Sequence, residues 1–470
     1  MKTILISLDT LRADHLGCYG WRFDTTPRID AWAKQGVLFE RCYATDVPTP
    51  PSYTAMLTGR YGMHNGVFGF QDPARFVPDP PMLQQQFAAN GHETCAISNL
   101  FYPCPWLLPG WQTIMPPGLR FQGGRAPDVT DTAIDWLSRR KDRDFFLFVH
   151  YWEPHQPFTK APPEHRELFP TEEYADVASD MKLLDANPIM KSFRRNYHRF
   201  GENEPNLSSA EVMARYDSQT HFVDAAVGRL FDWLEDAGLA EETVVVVTSD
   251  HGEAFGEYGS FDHYTCYENI AHVPLVIRAP GILPERTRIG GLVCGADLYA
   301  TLLELAGIDV PDGLDSRSLF ACARGDSDAP HESVVADGNS LCTQRMLVQG
   351  NWSLVHTINP GVFTHVEPWE LFALDGDPEQ DLSAQNPEVV ADLKHKMECW
   401  VHTMTGGGID PLVLASQKQM WAFGLRCFVE AVFEHLDVAK ANPHVWEALR
   451  HKMGAGALDK LPWYEEWKQG

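Results

Sequence analysis

Thr49, Asp9 and the adjacent pair Asp250 and His251 are the residues through which this sequence could do chemistry. Thr49 opens the stretch TPPSYTAMLTGR, where Pro50 biases it toward an extended backbone and Pro51 suits the first turn of a helix over about 52–57 that stops at Gly59. A hydroxyl just ahead of a helix start faces free backbone N–H groups and the positive end of the dipole, which favour an anion beside it. Two carboxylates, a hydroxyl and one imidazole form an oxygen-rich set with a single nitrogen. That set suits one divalent ion of intermediate hardness, Zn²⁺ or Mn²⁺ first, with Ca²⁺ and Mg²⁺ left open. Beside such an ion a hydroxyl sheds its proton near neutral pH, and an anionic ester can undergo in-line displacement at phosphorus or sulfur. Singly, each feature is ordinary: TPPS is usually a helix cap and DHG usually a turn.

What gives the set weight is where the elements deliver it. Residues 3–8 are an apolar run without alternation, the pattern of a strand buried on both faces, and Asp9 follows it. TTPRIDAWAKQG predicts a helix over 27–35, VLFERCYA a second strand, 82–89 a helix, and 93–97 a strand followed by Asn99. Pro-rich stretches at 78–81 and 103–117 predict surface loops. A helix at 130–138 leads to the apolar strand 145–149, which the chain leaves at His150, Glu153 and His155. Residues 160–208 read as a long loop or short helices over the site. Apolar positions from Phe222 to Leu234 recur at helical spacing, ahead of the run 244–247 that ends at Asp250 and His251. Strands alternating with helices predict an α/β fold, a mostly parallel central sheet sandwiched by helices, with ligands beyond the carboxyl ends of the strands. Asp9, His155, Asp250 and His251 all fall at such ends.

After the helical ADLYATLLELAGI the pattern changes near 330. Residues 1–330 read as the catalytic domain, 331–404 as a smaller antiparallel sheet with a helix at 387–402, and 405–470 as an aromatic helical extension suited to homo-oligomerisation. A formal charge of −26 argues against nucleic acid or an anionic membrane as partner. No apolar run reaches the length of a membrane span, and the absence of a leader pattern before TILISLD predicts no signal peptide. Ten cysteines without a CxxC pair read as free thiols of a cytoplasmic protein.

The segments ISLDTLRADHLGCYG, TPPSYTAMLTGR, HYWEPHQPF, VVVVTSDHGEAFGEYG, YENIAHVPLVI, DLYATLLELAGI and WELFALDGDPEQDL resemble, in order and spacing, the sulfatases and the related phosphonate monoester hydrolases of the alkaline phosphatase superfamily. The resemblance runs from residue 3 to about 385. It implies a single metal held by Asp9, Thr49, Asp250 and His251. The departures matter as much. Sulfatases carry Cys or Ser, converted to formylglycine, where Thr49 stands, and an arginine where Tyr53 stands. The second aspartate of their DD pair is Thr10 here, their GKWH segment is replaced by ISNLFYPC with Asn99, and the lysine expected before YE is His263.

A threonine lacks the geminal diol through which a sulfated formylglycine collapses, whereas a phospho-threonine can be cleaved by in-line water attack. The expected reaction is therefore hydrolysis of phosphodiesters or phosphonate monoesters through a covalent phospho-Thr49 intermediate. His263 or His155 would protonate the leaving oxygen, Asn99 is a candidate substrate contact, and Tyr53 reads equally as a substrate contact or as packing. The alternatives are a sulfatase using an unmodified Thr49, a phosphoryl transferase, and an inactive metal-binding homologue. The expected partner is a small anionic ester. Asp217 and His221, four apart on one helix, read as structural rather than as ligands of a second ion, His150 as a hydrogen-bonded core group, and Arg12 as a local ion-pair partner.

Overall fold

In a computed structural model the described residues are all but 71–75, 77, 119–123, 180–207, 362, 364, 378–379 and 420–470. The core is a large sheet of strands β1 (Lys2–Leu8), β2 (Val37–Tyr43), β4 (Glu93–Ile97), β5 (Thr113–Ile114), β6 (Phe145–Tyr151), β7 (Thr243–Thr248), β10 (His272–Arg278) and β11 (Thr287–Cys294), in the order β11-β2-β10-β7-β1-β6-β4-β5. Only β10 runs against its neighbours β2 and β7; β1 pairs in parallel with both β6 and β7. Successive side chains of these buried strands go to opposite faces. Ile4, Ile6, Val245, Val247, Leu147 and Val149 join one core cluster, and Leu5, Val244, Val246, Phe146 and Phe148 the other. That two-sided burial is why the strands read as continuous apolar runs.

Helices α1 (Pro27–Ala33), α2 (Thr49–Thr58), α3 (Leu83–Ala89), α4 (Ala126–Ser138), α5 (Ser209–Asp236) and α6 (Leu298–Leu305) cover the two faces. A second sheet, in the order β15-β14-β13-β12-β3, comprises β12 (Ser333–Asn339), β13 (Thr343–Gln349), β14 (Trp352–Asn359) and β15 (Trp369–Ala373), all antiparallel. It is completed by β3 (Asp46–Val47), which pairs in parallel with β12 and brings the residues just before Thr49 onto this sheet's edge. A small hairpin joins β8 (Ala254–Phe255) to β9 (Phe261–Asp262). Helices α7 (Pro387–Thr405) and α8 (Pro411–Gln419) follow.

Several expectations change. The helix at Thr49 starts earlier than the prolines suggested: Ser52 N–H bonds to the Pro48 carbonyl, so Thr49 is the first helical residue and Pro48 the cap. Pro50 and Pro51 then occupy first-turn positions whose N–H groups have no helical partner anyway. The segment 103–117 is only partly a surface loop, because Cys104, Trp106, Leu107 and Trp111 bury their apolar bulk in the main core. Short helices do follow the site strand, at Pro163–Arg166 and Thr171–Tyr174. The rest of the expected covering loop at 180–207, and the aromatic extension from 420 on, lie outside the described residues. Among the described residues the cysteines are unpaired, and no helix is long and apolar enough to cross a membrane.

Candidate active site

The site lies at the carboxyl ends of β1, β6 and β7. Asp9 leaves β1 with its backbone N–H bonded to the Tyr151 carbonyl at 2.9 Å, and the next residue, Thr10, turns sharply at φ 60°. That turn points Thr10 N–H at Asp250 Oδ1, 3.0 Å away, so the ends of β1 and β7 are tied together through a candidate ligand. Ser249 strengthens the tie: its hydroxyl accepts Leu11 N–H at 2.9 Å and donates to the His251 carbonyl at 2.8 Å. Helix α2 is attached to the same loop by Ser52 Oγ, which donates to the Asp250 carbonyl at 2.7 Å.

Asp9, Asp250 and His251 are each fully buried, with ligand atoms within 4.8 Å of one another. Thr49 Oγ1 lies 3.0 Å from His251 Nε2. His251 donates Nδ1–H to the Gly252 carbonyl at 2.9 Å, which leaves the Nε2 lone pair facing the threonine and the carboxylates. Burial pulls the imidazole down to about 4, partly opposed by Asp250, so it is neutral and ready to ligate.

Asp9 Oδ1 and Asp250 Oδ2 are buried atoms without a hydrogen-bond partner, although Asp250 Oδ2 sits 3.2 Å from His251 Nε2. Burial, and then the neighbouring Asp250 charge, push the Asp9 carboxyl well above the usual carboxylate range. Buried orphan oxygens with that much mutual repulsion are costly in a protein interior unless a cation sits between them. The donor set therefore fits one divalent ion held by Asp9, Asp250, His251 and Thr49.

The other predicted residues divide. His150, fully buried, is 3.2 Å from Asp9 Oδ2 through Nε2 and 2.9 Å from Ser98 Oγ through Nδ1. A carboxylate only accepts, so the proton of this neutral ring sits on Nε2, facing Asp9, and Nδ1 accepts from Ser98 Oγ, which itself accepts Leu100 N–H. The core histidine is thus also a support for a ligand carboxylate. His155 and His263 both border the site, their ring centroids 5.2 Å apart, with His263 4.6 Å from His251.

Their charges differ. Burial drives His155 down to about 3. Burial also opposes charge on His263, but Asp262 and Glu253 outweigh it and hold the imidazole well above its ordinary value. Of the two, His263 is the one that carries a proton to donate at neutral pH.

Asn99 is buried one residue beyond Ser98, at the end of β4. Tyr53 lies one turn after Thr49, fully buried, its hydroxyl 2.9 Å from Ser7 Oγ on β1 and its ring edge-on to His150. That bond places the phenol beneath the ligands, in the core, which is the packing position left open beside a substrate contact. Arg12 pairs locally, with both oxygens of Asp14 and with Glu257 at 2.6 Å. Asp217 and His221 do not share a ligand position: Asp217 accepts from His15, Trp21 and Tyr174, while His221 Nδ1 meets His165 Nδ1 at 2.8 Å.

Sequence reasoning passed over Glu253, Asp262, Gln156 and Lys160. The first two could have been noticed as carboxylates two residues after His251 and one before His263. Lys160, 3.5 Å from the buried Glu153, has no local sequence signal.

The sulfatase family model matches residues 2–308, and a model of the N-sulphoglucosamine sulphohydrolase C-terminal region matches 256–405. The chain belongs to the sulfatase family, and it is a hydrolase of ester bonds. It is similar to the N-acetylglucosamine-6-O-sulfatase of Bacteroides thetaiotaomicron, 25% identical over 80% of this chain and 81% of that one. Two solved structures share the fold equally well. One, in complex with its substrate D-glucosamine-2-N,6-O-disulfate, has a TM-score of 0.70 at 21% identity over 87% of this chain and 99% of that one. The other, the phosphonate monoester hydrolase of Agrobacterium radiobacter, has a TM-score of 0.70 at 20% identity over 86% and 96%. The superfamily's use of a divalent ion agrees with the orphan oxygens of Asp9 and Asp250.

Proposed function

We propose that this chain hydrolyses sulfate esters at the Asp9, Thr49, Asp250 and His251 cluster, with Thr49 unmodified. The observation that carries the reading is the convergence of two buried unpartnered carboxylate oxygens, a neutral imidazole lone pair and a hydroxyl on one point. The sulfatase relatives support sulfur over phosphorus as the centre attacked, against the order expected from threonine chemistry alone. A divalent ion bound there would lower the Thr49 hydroxyl's pKa, so that its proton is lost to solvent, and would neutralise a non-bridging oxygen of the ester.

Thr49 Oγ1 then forms a bond to sulfur as the bond to the leaving oxygen breaks. The leaving oxygen takes its proton from His263, and water cleaves the sulfo-threonine and restores that proton. His155 lines the same edge of the site as a neutral ring, and Asn99 is the candidate oxygen contact for the substrate.

The charge around the cluster supports a substrate with one negative charge. Asp9, Asp250 and Asp262 balance a divalent ion and one imidazolium, while burial holds the Glu253 carboxyl up at about 7, so no net positive charge is left over and a dianionic phosphate monoester is poorly matched. Sulfate monoesters, phosphodiesters and phosphonate monoesters all carry a single charge. The second reading, hydrolysis of phosphodiesters or phosphonate monoesters through phospho-Thr49, is favoured by the threonine itself.

One experiment separates the two: turnover of p-nitrophenyl sulfate, bis(p-nitrophenyl) phosphate and p-nitrophenyl phenylphosphonate, side by side, by protein loaded with Zn²⁺ or Mn²⁺. The sulfate is expected to have the highest kcat/KM; turnover of the phosphorus esters alone overturns the first reading in favour of the second. A small anionic ester as partner, a cytoplasmic setting supported by the free thiols, and self-association through the segment from 405 on belong to the same proposal.

A further inference from the structure

Asp262 is fully buried and holds a left-handed backbone, φ 66°, that an L-residue with a side chain rarely adopts. What keeps it there is a set of bonds around His263. Asp262 Oδ1 accepts the backbone N–H of His263 and lies 2.9 Å from its Nδ1, while Oδ2 accepts Gln156 Nε2–H at 2.8 Å. Glu253, also fully buried, brings both carboxylate oxygens to the same Nδ1, at 3.3 and 3.4 Å. Three carboxylate oxygens around one ring nitrogen fix the hydrogen on Nδ1 and fix the ring plane. Nε2 has no hydrogen-bond partner among the described residues, and it is the nitrogen left for the site, where the ring lies against His251 and His155.

We infer that Asp262, Glu253 and Gln156 are positioning residues that clamp His263 so that Nε2 meets the leaving oxygen of the ester. This rests on the hydrolysis proposed above. As the bond from sulfur to the leaving oxygen breaks, its electron pair goes to that oxygen and the Nε2 proton follows. The imidazole keeps Nδ1–H against Asp262, and Nε2 regains a proton from the water that later cleaves the Thr49 ester. Gln156 acts at one remove, holding the second oxygen of Asp262. The clamp works by orientation, so its loss is felt most where proton delivery matters most.

The test uses Asp262→Asn, because asparagine tolerates positive φ and still accepts the His263 backbone N–H. A poor alkyl leaving group needs a proton, and p-nitrophenolate needs little. The kcat/KM of Asp262→Asn is expected to fall roughly 10–100-fold further for an alkyl ester than for the p-nitrophenyl ester. Glu253→Gln should show the same split, smaller, and His263→Ala should show it in full. Equal losses on both esters, or no loss in Asp262→Asn, overturn the clamp. Asp262→Gly, which relieves the backbone, gives the same reading if the asparagine variant does not fold. If the wild type cleaves neither ester, the hydrolysis reading is what has failed. The clamp is then decided by ¹⁵N-histidine NMR: a His263 Nδ1–H signal that is displaced in Asp262→Asn upholds it, and its absence from the wild type overturns it.

Discussion

Two buried clusters of this protein are built from the same kinds of side chain and do opposite things. At Asp217, one oxygen accepts from His15 Nδ1 at 2.6 Å and the other from Trp21 Nε1 and Tyr174 Oη at 2.8 and 2.7 Å. Both oxygens are spent on protein donors, and the carboxylate locks α5 to the loop after β1. At Asp9 and Asp250, one oxygen of each is tied down, by His150 and by Thr10 N–H, and the other is left buried with no hydrogen-bond partner. The comparison shows that residue type and burial do not mark a ligand site. What marks it is two unspent oxygens converging with an imidazole lone pair and a hydroxyl, since single orphan oxygens also occur at Asp46, Glu153 and Glu268.

The sharpest break between the clusters is expected at Thr49. Thr49→Ala should lower turnover by roughly 10⁴-fold or more while leaving unfolding within about 1 kcal/mol of wild type, measured by steady-state kinetics and urea denaturation. Chelation comes next. Stripping the ion with EDTA should abolish turnover and lower stability by about 2.7 kcal/mol relative to protein held at 100 times the dissociation constant, and adding Zn²⁺ or Mn²⁺ back should restore both.

Asp217→Asn should do the reverse of Thr49→Ala. It replaces a charge that satisfies three donors, so urea denaturation should show a loss of about 2–4 kcal/mol, while the bound metal, counted by elemental analysis, stays at one equivalent. A loss of metal in Asp217→Asn would mean that Asp217, too, serves the ion. Between the extremes stands His150, which touches Asp9 without being a ligand. His150→Gln should weaken metal binding by roughly 10–100-fold in a competition titration.

The same distinction explains what could be read from the chain. Asp9, Asp250 and His251 were legible because buried parallel strands announce themselves as apolar runs, and their carboxyl ends are where such folds place ligands. The helix at Thr49 was legible from its prolines, although its first residue was set by a Pro48 carbonyl that pattern alone does not reveal. The second sheet was legible as a smaller antiparallel region past residue 330. Its fifth strand, Asp46–Val47, was not, since two residues carry no periodicity and are recruited by β12 from far along the sequence. For Tyr53 the pattern left a substrate contact and packing equally open, because only the position of Ser7 across the core shows where that hydroxyl is used. The clamp on His263 went unseen for a similar reason: Asp262 is adjacent in sequence, but Glu253 and Gln156 come to it from a hairpin and a different strand end.

A half-exposed pair gives the smallest effect and completes the comparison. His64 Nδ1 lies 2.8 Å from Asp315 Oδ1 and its Nε2 2.9 Å from the Met404 carbonyl, so the ring fastens the end of α7 to the short helix Gly62–Asn65 that follows α2. The hydrogen bond to Asp315, against some burial, raises the imidazole above its ordinary value. A histidine whose pKa is raised on folding stabilises fully below its unfolded value, about 6.5, and loses that contribution as pH rises through the folded value. The side chain is 29% exposed, so solvent screening holds the term to a few tenths of a kcal/mol. The difference in urea midpoint between wild type and His64→Gln is therefore expected to be largest near pH 6 and to shrink above neutrality. If that difference grew with pH, Asp315 would be acting on a neutral ring, and the pair would belong with Asp217, spent on structure, and not with groups whose charge is free to change.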